Sequence, residues 1–225
     1  YLAREWVRAG HRVQIVAASF SHLRSRQPEV GAEPRDETID GIAYRWLPTP
    51  LYSRNGLGRV RNIAAFLRRL WREAPRLASA FAPGVVIASS TYPMDIWVAR
   101  RIARFARAKL VFEVHDLWPA SPVELGGMSP RHPFIRLVQA AEDAAYRDAD
   151  VVVSMLPKVH DYMASRGLDL RKLVVVPNGI TLDEWEGEPE PLGPLLLDTL
   201  QQARASGRTL VGYAGSHGMP NALDT

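Results

Sequence analysis

The sequence predicts an α/β protein built on a doubly wound, mostly parallel sheet. Three observations predict it. Short runs rich in Val and Ile recur along the 225 residues. Helical patterns separate several of these runs. Polar, hydrogen-bonding residues follow the runs at one end. Nearly continuous apolar strands are buried on both faces, as parallel sheets require. Strand–helix alternation implies right-handed crossovers.

The elements follow in order. Tyr1 to Val7 read as a helix with Leu2, Trp6 and Val7 on one face, and Gly10 stands where a helix C-terminus needs it. A strand follows over 13–17, and the turn pair Asp40-Gly41 leads into another over 42–47. Further strands are predicted over 85–88, 110–114, 151–153 and 173–176, with helices over 59–72, 94–107, 134–148 and 157–166. From Glu186 to Pro191 the chain is acidic and proline-bearing, which is linker composition. A helix over 194–205 and a strand over 209–213 come next. The reading is one domain over 1–185, an interdomain segment over 186–207 and the start of a second domain over 208–225. The chain opens in mid-helix and stops after a glycine turn, so both ends are expected to be cut short.

Composition excludes several classes. Apolar residues make up 47% and charged residues 23%, an ordinary balance for a globular protein. The absence of cysteine removes disulfide frameworks, thiolate zinc sites and cysteine nucleophiles, and fits a reducing cytoplasm. A net charge of +4 is too weak to argue for nucleic acid. No apolar run is long enough to span a bilayer, and no signal-peptide pattern opens the chain. No metal site or cofactor is expected.

In an open parallel sheet, ligands bind at the carboxyl ends of the strands. Ser89, Ser90, Thr91 and Tyr92 follow the strand over 85–88. Their hydroxyls read either as caps for the next helix or as ligands for an anion or a sugar hydroxyl. Within and after the strand over 110–114 stand Glu113, His115, Asp116 and Trp118. His115 reads as a proton shuttle or as a structural histidine holding a loop. Asp116 either orients His115 or caps the next segment. Glu113 is a buried acid with a role or a charge paired across the sheet. Trp118 stacks on a sugar or wedges the loop. Asn178-Gly179 and the stretch from Gly215 through Ser216 to Gly218 end two further strands, and the latter could open a phosphate-binding turn.

One helix is basic. Arg59, Arg61, Arg68, Arg69, Arg72 and Arg76 face a single acid, Glu73, while Val60, Ile63, Phe66, Leu67, Leu70 and Trp71 recur at helical spacing. Such a helix either lies on anionic lipid headgroups or packs its apolar face on the sheet with its arginines solvated.

Taken together, "RAGHRVQIV", "DGIAYRWLP", "VVIASSTYP", "LVFEVHDLWPASPVELGGM", "ADVVVSMLP", "VVVPNGIT" and "LVGYAGSHGMPNALD" carry a resemblance. The chain resembles family 4 glycosyltransferases of the GT-B fold, in the Rossmann-like acceptor-side half. The longest segment resembles the O-antigen and capsule branch associated with N-acetylfucosamine-type sugars. The resemblance implies hexosyl transfer, of the retaining type, from a nucleotide sugar, UDP-linked, to a lipid-linked or saccharide acceptor. It places this in bacterial cell-envelope polysaccharide synthesis, in the cytoplasm, with peripheral contact at the inner leaflet through Arg61, Arg68, Arg69 and Arg72. His115 matches the cleft histidine that contacts substrate near the reacting centre. Asn178 and Gly179 match the turn before the interdomain crossover, although Thr181 stands where many members have Asp. Gly215, Ser216 and Gly218 match the glycine turn that approaches the donor diphosphate.

The resemblance also implies that a first strand with its glycine-rich loop precedes Tyr1. A basic pair and a Glu-x7-Glu motif are expected after Thr225. The chain by itself is therefore expected to be inactive. Two alternatives stay open: a non-catalytic docking module on the same fold, and a sugar-nucleotide epimerase.

Overall fold

A computed structural model describes residues 1–53, 56–213 and 215. The chain divides into two compact units, Tyr1–Asn178 and Gly179–Thr225.

The first unit opens with α1 (Leu2–Arg8). Gly10, at φ 87°, closes this helix: its N–H donates to the Val7 carbonyl and the His11 N–H to that of Trp6, each at 2.9 Å. Strand β1 (Gln14–Ala18) pairs in parallel with β3 (Ile42–Leu47), and β3 pairs antiparallel with β2 (Arg35–Ile39). Asp40 and Gly41 make the two-residue turn between β2 and β3, with φ 53° and 76°, the left-handed pair that a tight hairpin needs.

Four more strands form a wholly parallel sheet in the order β4 (Val85–Ala88), β5 (Lys109–Val114), β6 (Val151–Ser154), β7 (Leu173–Val175). Between them run α3 (Ile96–Ala106), α4 (Ala120–Glu124), α5 (Pro133–Asp148) and α6 (His160–Ser165). The alternation of strand and helix is the expected one. One core cluster joins Phe112 and Val114 of β5 and Val152 of β6 to Ile96 and Ala99 of α3, Val138, Ala145 and Tyr146 of α5 and Met163 of α6.

The expected fold class holds, and two points add detail to it. Among the described residues the strands form two sheets, because β1 and β4 share no hydrogen-bond ladder. Helix α2 (Leu57–Phe81) links them instead. Phe66, Leu70, Ala74, Leu77 and Ala78 of α2 share one cluster with Leu47 of β3, Val98 and Ile102 of α3, and the half-buried Val16, Ala18 and Val86. This helix also runs well past the expected end at residue 72. Its apolar stripe continues through Ala74, Leu77 and Ala78, while Pro75, a residue that would break a packed helix, lies on the exposed side.

Where β3 meets α2, Arg45 is buried and donates to Asp36 Oδ2 at 2.6 Å and Glu73 Oε2 at 2.8 Å. The two carboxylates neutralise a guanidinium that burial would otherwise penalise.

The second unit holds α7 (Leu182–Trp185) and α8 (Pro194–Ala205). The strand expected over 209–213 is not formed, and Val211 is 93% exposed. A strand exists only with a hydrogen-bonded neighbour, and none adjoins this segment among the described residues.

Candidate active site

The parallel sheet places the residues after β4 and β5 side by side at its carboxyl edge. Successive residues of a strand point to opposite faces, so Glu113 and His115, two apart, share a face. β4 is the neighbour of β5, with Ala88 opposite Phe112, which sets Ser89 beside Glu113. The Ser89 hydroxyl donates to Glu113 Oε2 at 2.5 Å. It lies 3.1 Å from His115 Nε2, and His115 Nε2 lies 3.6 Å from Glu113 Oε2. With its hydroxyl hydrogen directed at Glu113, the Ser89 oxygen accepts from His115 Nε2–H. That assigns the imidazole tautomer from its hydrogen bond. His115 Nδ1 is then an acceptor with no partner among the described residues, on a side chain about 30% exposed. The arrangement can take a proton from a hydroxyl at Nδ1. Glu113 can stabilise the imidazolium that results.

The open readings of the sequence resolve around this triad. Asp116 makes no hydrogen bond to His115; its Oδ1 accepts from the Ser121 hydroxyl at 2.9 Å and so fastens the start of α4. Glu113 is bonded across the sheet, to the Ser89 hydroxyl. Trp118 packs edge-to-face on Phe134, with centroids 6.0 Å apart, and the Arg59 guanidinium lies 5.5 Å over its ring. It wedges the loop against α5 and α2. Ser89 and Ser90 do not cap α3: Tyr92 stands at the cap position of the turn leading into it, followed by Pro93. The Ser90 hydroxyl instead meets Asp95, which is buried. Thr91 is exposed beside them, and burial raises the Tyr92 phenol well above its usual range.

Asn178 ends the first unit and is exposed. Gly179 and Gly215 belong to the second unit, and Ser216 and Gly218 lie outside the described residues. On α2, Arg61, Arg68 and Arg72 are exposed, whereas Arg69 is half-buried.

Two features went unread in the sequence. The first is a buried polar network under the triad. Glu142 of α5 lines the same cavity of about 10 Å³ as Glu113 and His115, room for about one water. Its Oε2 accepts from the Tyr162 hydroxyl and from Gln139 Nε2, each at 2.8 Å. Burial pushes the Glu142 carboxyl up, against the pull of those hydrogen bonds. Spacing could have found it, since Ile135, Val138, Glu142 and Ala145 fall on one helical stripe. Removing the hydroxyl in Tyr162→Phe is expected to cost about 1–3 kcal/mol, the penalty for a hydrogen bond lost at a buried acceptor. Urea unfolding of the two proteins measures it. The second feature lies after β1 and β3, where the Tyr52 hydroxyl meets His22 Nδ1 at 2.7 Å and its ring meets Phe20 edge-on at 5.0 Å.

Residues 1–179 match the glycosyl transferase 4-like domain family, and the chain belongs to that family. No curated protein matches the sequence. Among solved structures, Anabaena HepE in complex with UDP and glucose is 16% identical, with a TM-score of 0.43, and the alignment covers 73% of this chain and 38% of that one. The same protein in complex with UDP-glucose is likewise 16% identical at a TM-score of 0.43, over 74% of this chain and 37% of the other. The chain thus spans well under half the length of these structures. Among the described residues, no helix is long and apolar enough to cross a membrane, and no cluster of three or more acidic or histidine side chains is placed to hold a metal.

Proposed function

We propose that this chain is the acceptor-side half of a glycosyltransferase moving a sugar from a UDP-linked donor to a lipid-linked or saccharide acceptor in bacterial cell-envelope polysaccharide synthesis. One observation carries the reading. In a chain of the glycosyl transferase 4-like family, the Ser89–Glu113–His115 triad stands at the carboxyl edge of the parallel sheet with one imidazole nitrogen unbonded among the described residues. His115 receives or positions the acceptor hydroxyl. Departure of the donor diphosphate needs electrostatic stabilisation in a closed cleft, which calls for a donor-binding half as well. The triad of this chain does not supply that by itself. The retaining outcome and the O-antigen branch follow the family resemblance alone. The test is transfer and hydrolysis of labelled UDP-sugars by a chain that includes the donor-binding half, beside the 225-residue chain. Turnover by the longer chain alone supports the reading. A folded longer chain without turnover on any nucleotide sugar overturns it and favours a docking module.

Peripheral membrane contact belongs to the same proposal. The outer side of α2 exposes Leu57 (84%), Val60 (46%) and Trp71 (46%) among Arg61, Arg68 and Arg72. Arg101 of α3 lies 4.6 Å from the Trp71 ring centroid and 4.7 Å from that of Phe105. Exposed aromatic and aliphatic groups among guanidinium groups suit an anionic bilayer surface. Each basic residue near such a surface is worth about 1 kcal/mol. The triple change Arg61→Glu, Arg68→Glu, Arg72→Glu is therefore expected to lower affinity for phosphatidylglycerol vesicles by about 100-fold or more. Sedimentation with vesicles reads it, and unchanged partitioning would remove membrane contact from the proposal.

A further inference from the structure

The amino-terminal edge of the parallel sheet holds a hollow of about 370 Å³, far larger than the cavity under the triad. Its cations come from two elements. Arg100 and Arg104 stand one turn apart on α3, Arg107 follows in a left-handed conformation at φ 55°, and Lys109 opens β5. Asp148, ending α5, and Asp150, before β6, are its acids. Four cations against two carboxylates leave a formal surplus of two positive charges.

The carboxylates are already engaged. Asp148 is paired with Arg100, and Asp150 with Lys109 at 2.9 Å. Asp150 Oδ2 also accepts from the Leu110 N–H at 2.9 Å. The side chains of Arg104 and Arg107 have no hydrogen bond or ion pair among the described residues. The ordinary duty of such cations is to cap helix C-termini. Here other groups take that duty. Ala108 N–H donates to the Ala103 carbonyl at 2.8 Å, Ala149 N–H to that of Ala145 at 2.9 Å, and Lys172 Nζ to that of Arg147 at 3.1 Å. Two guanidinium forks therefore remain over a hollow floored by the small side chains of Ala103 and Ala108.

We propose that this hollow binds a phosphoryl oxyanion through Arg104 and Arg107. A guanidinium presents paired N–H donors that match two oxygens of a phosphate, and charge-assisted bonds of this kind are the strong ones. The volume accommodates a phosphorylated small molecule or a phosphodiester headgroup. The site is separate from the triad. Lys109 and Val114 are the two ends of β5, so the length of that strand, about 17 Å, lies between them. The binding does not depend on the transfer chemistry.

The experiment follows the arginine Nε–Hε resonances of the 225-residue chain, assigned through single substitutions. One arm adds inorganic phosphate, and the other adds phosphatidylcholine vesicles with and without phosphatidylglycerol. Saturable shifts of Arg104 and Arg107 with inorganic phosphate support the proposal with a soluble ligand. Shifts only with phosphatidylglycerol vesicles support it with a lipid headgroup. In either case the double change Arg104→Gln, Arg107→Gln is expected to weaken binding about tenfold or more. Both side chains are exposed and make no hydrogen bond or ion pair among the described residues, so this variant is expected to unfold at the wild-type temperature. If it does not fold, the wild-type resonances still decide. No shift of either arginine in both arms overturns the proposal, as does undiminished binding by the folded double variant, read for vesicles in the Arg61→Glu, Arg68→Glu, Arg72→Glu background so that α2 does not mask the loss.

Discussion

Replacing His115 by alanine is expected to lower kcat for sugar transfer by about 100-fold or more, the scale of a lost acid–base group. The physical case starts from the strand. After Lys109, β5 is apolar except at Glu113, and strand geometry sends Glu113 and His115 to the same face at the carboxyl edge. Ser89 from the neighbouring strand ties them together, donating to Glu113 at 2.5 Å and lying 3.1 Å from the ring. The ring is thereby held by one nitrogen and offers the other. Alanine removes both the acceptor and the cation that Glu113 would stabilise. Ser89→Ala is expected to do less, because Glu113 still stands 3.6 Å from the ring and can hold it directly. The measurement is kcat and KM with a labelled UDP-sugar, on a chain that includes the donor-binding half, with thermal unfolding as the control. A loss in kcat with unfolding unchanged assigns His115 to the reaction. An unchanged kcat in the folded variant makes it a loop-holding histidine.

The parallel sheet was legible because its strands announce themselves. Val85–Ala88, Lys109–Val114 and Val151–Ser154 are short apolar runs separated by helical patterns, and no other arrangement buries both faces of such runs so readily. β2 was illegible for the converse reason. Arg35-Asp36-Glu37-Thr38-Ile39 is mostly exposed and polar, an edge strand held by its pairing with β3. Its one signal is Asp40-Gly41, a turn pair that by itself marks only the start of β3. The strand expected over 209–213 failed by the same logic: an apolar run is a strand only when a neighbour pairs with it.

The site was legible at its edge and not in its interior. Residues after parallel strands gather by topology, so Ser89, Glu113 and His115 could be picked before their distances were known. Which way each side chain turns is decided by tertiary contacts. Asp116 went to Ser121, and Trp118 went to Phe134, although both stand next to the triad in sequence. Glu142 and Tyr162 come from helices whose amphipathic patterns read as core. A buried acid such as Glu142 hides in such a pattern unless each position of the stripe is checked for a charge.

Asparagine at position 95 is expected to flatten part of the pH dependence of stability. Asp95 closes the turn Pro93–Asp95 that leads into α3, and it is buried with Oδ1 lacking a hydrogen-bond partner among the described residues. Burial raises its carboxyl from the usual 3.8 to about 6, with the Ser90 hydroxyl and nearby backbone N–H groups pulling the other way. A carboxyl raised in this way binds its proton more tightly in the folded chain than in the unfolded one. Its contribution is therefore whole below pH about 4 and is lost as the pH climbs through about 6. The difference amounts to roughly 3 kcal/mol at most. Asp95→Asn cannot titrate, so wild type should lose that much relative to the variant between pH 4 and pH 7.5, as read by urea unfolding at both values. Parallel profiles would show that water or an ion reaches the carboxylate. Ser90→Ala gives the complementary test. Its hydroxyl favours the ionised form, so removing it should move the loss of stability to higher pH, and a shift to lower pH would contradict the assigned contact.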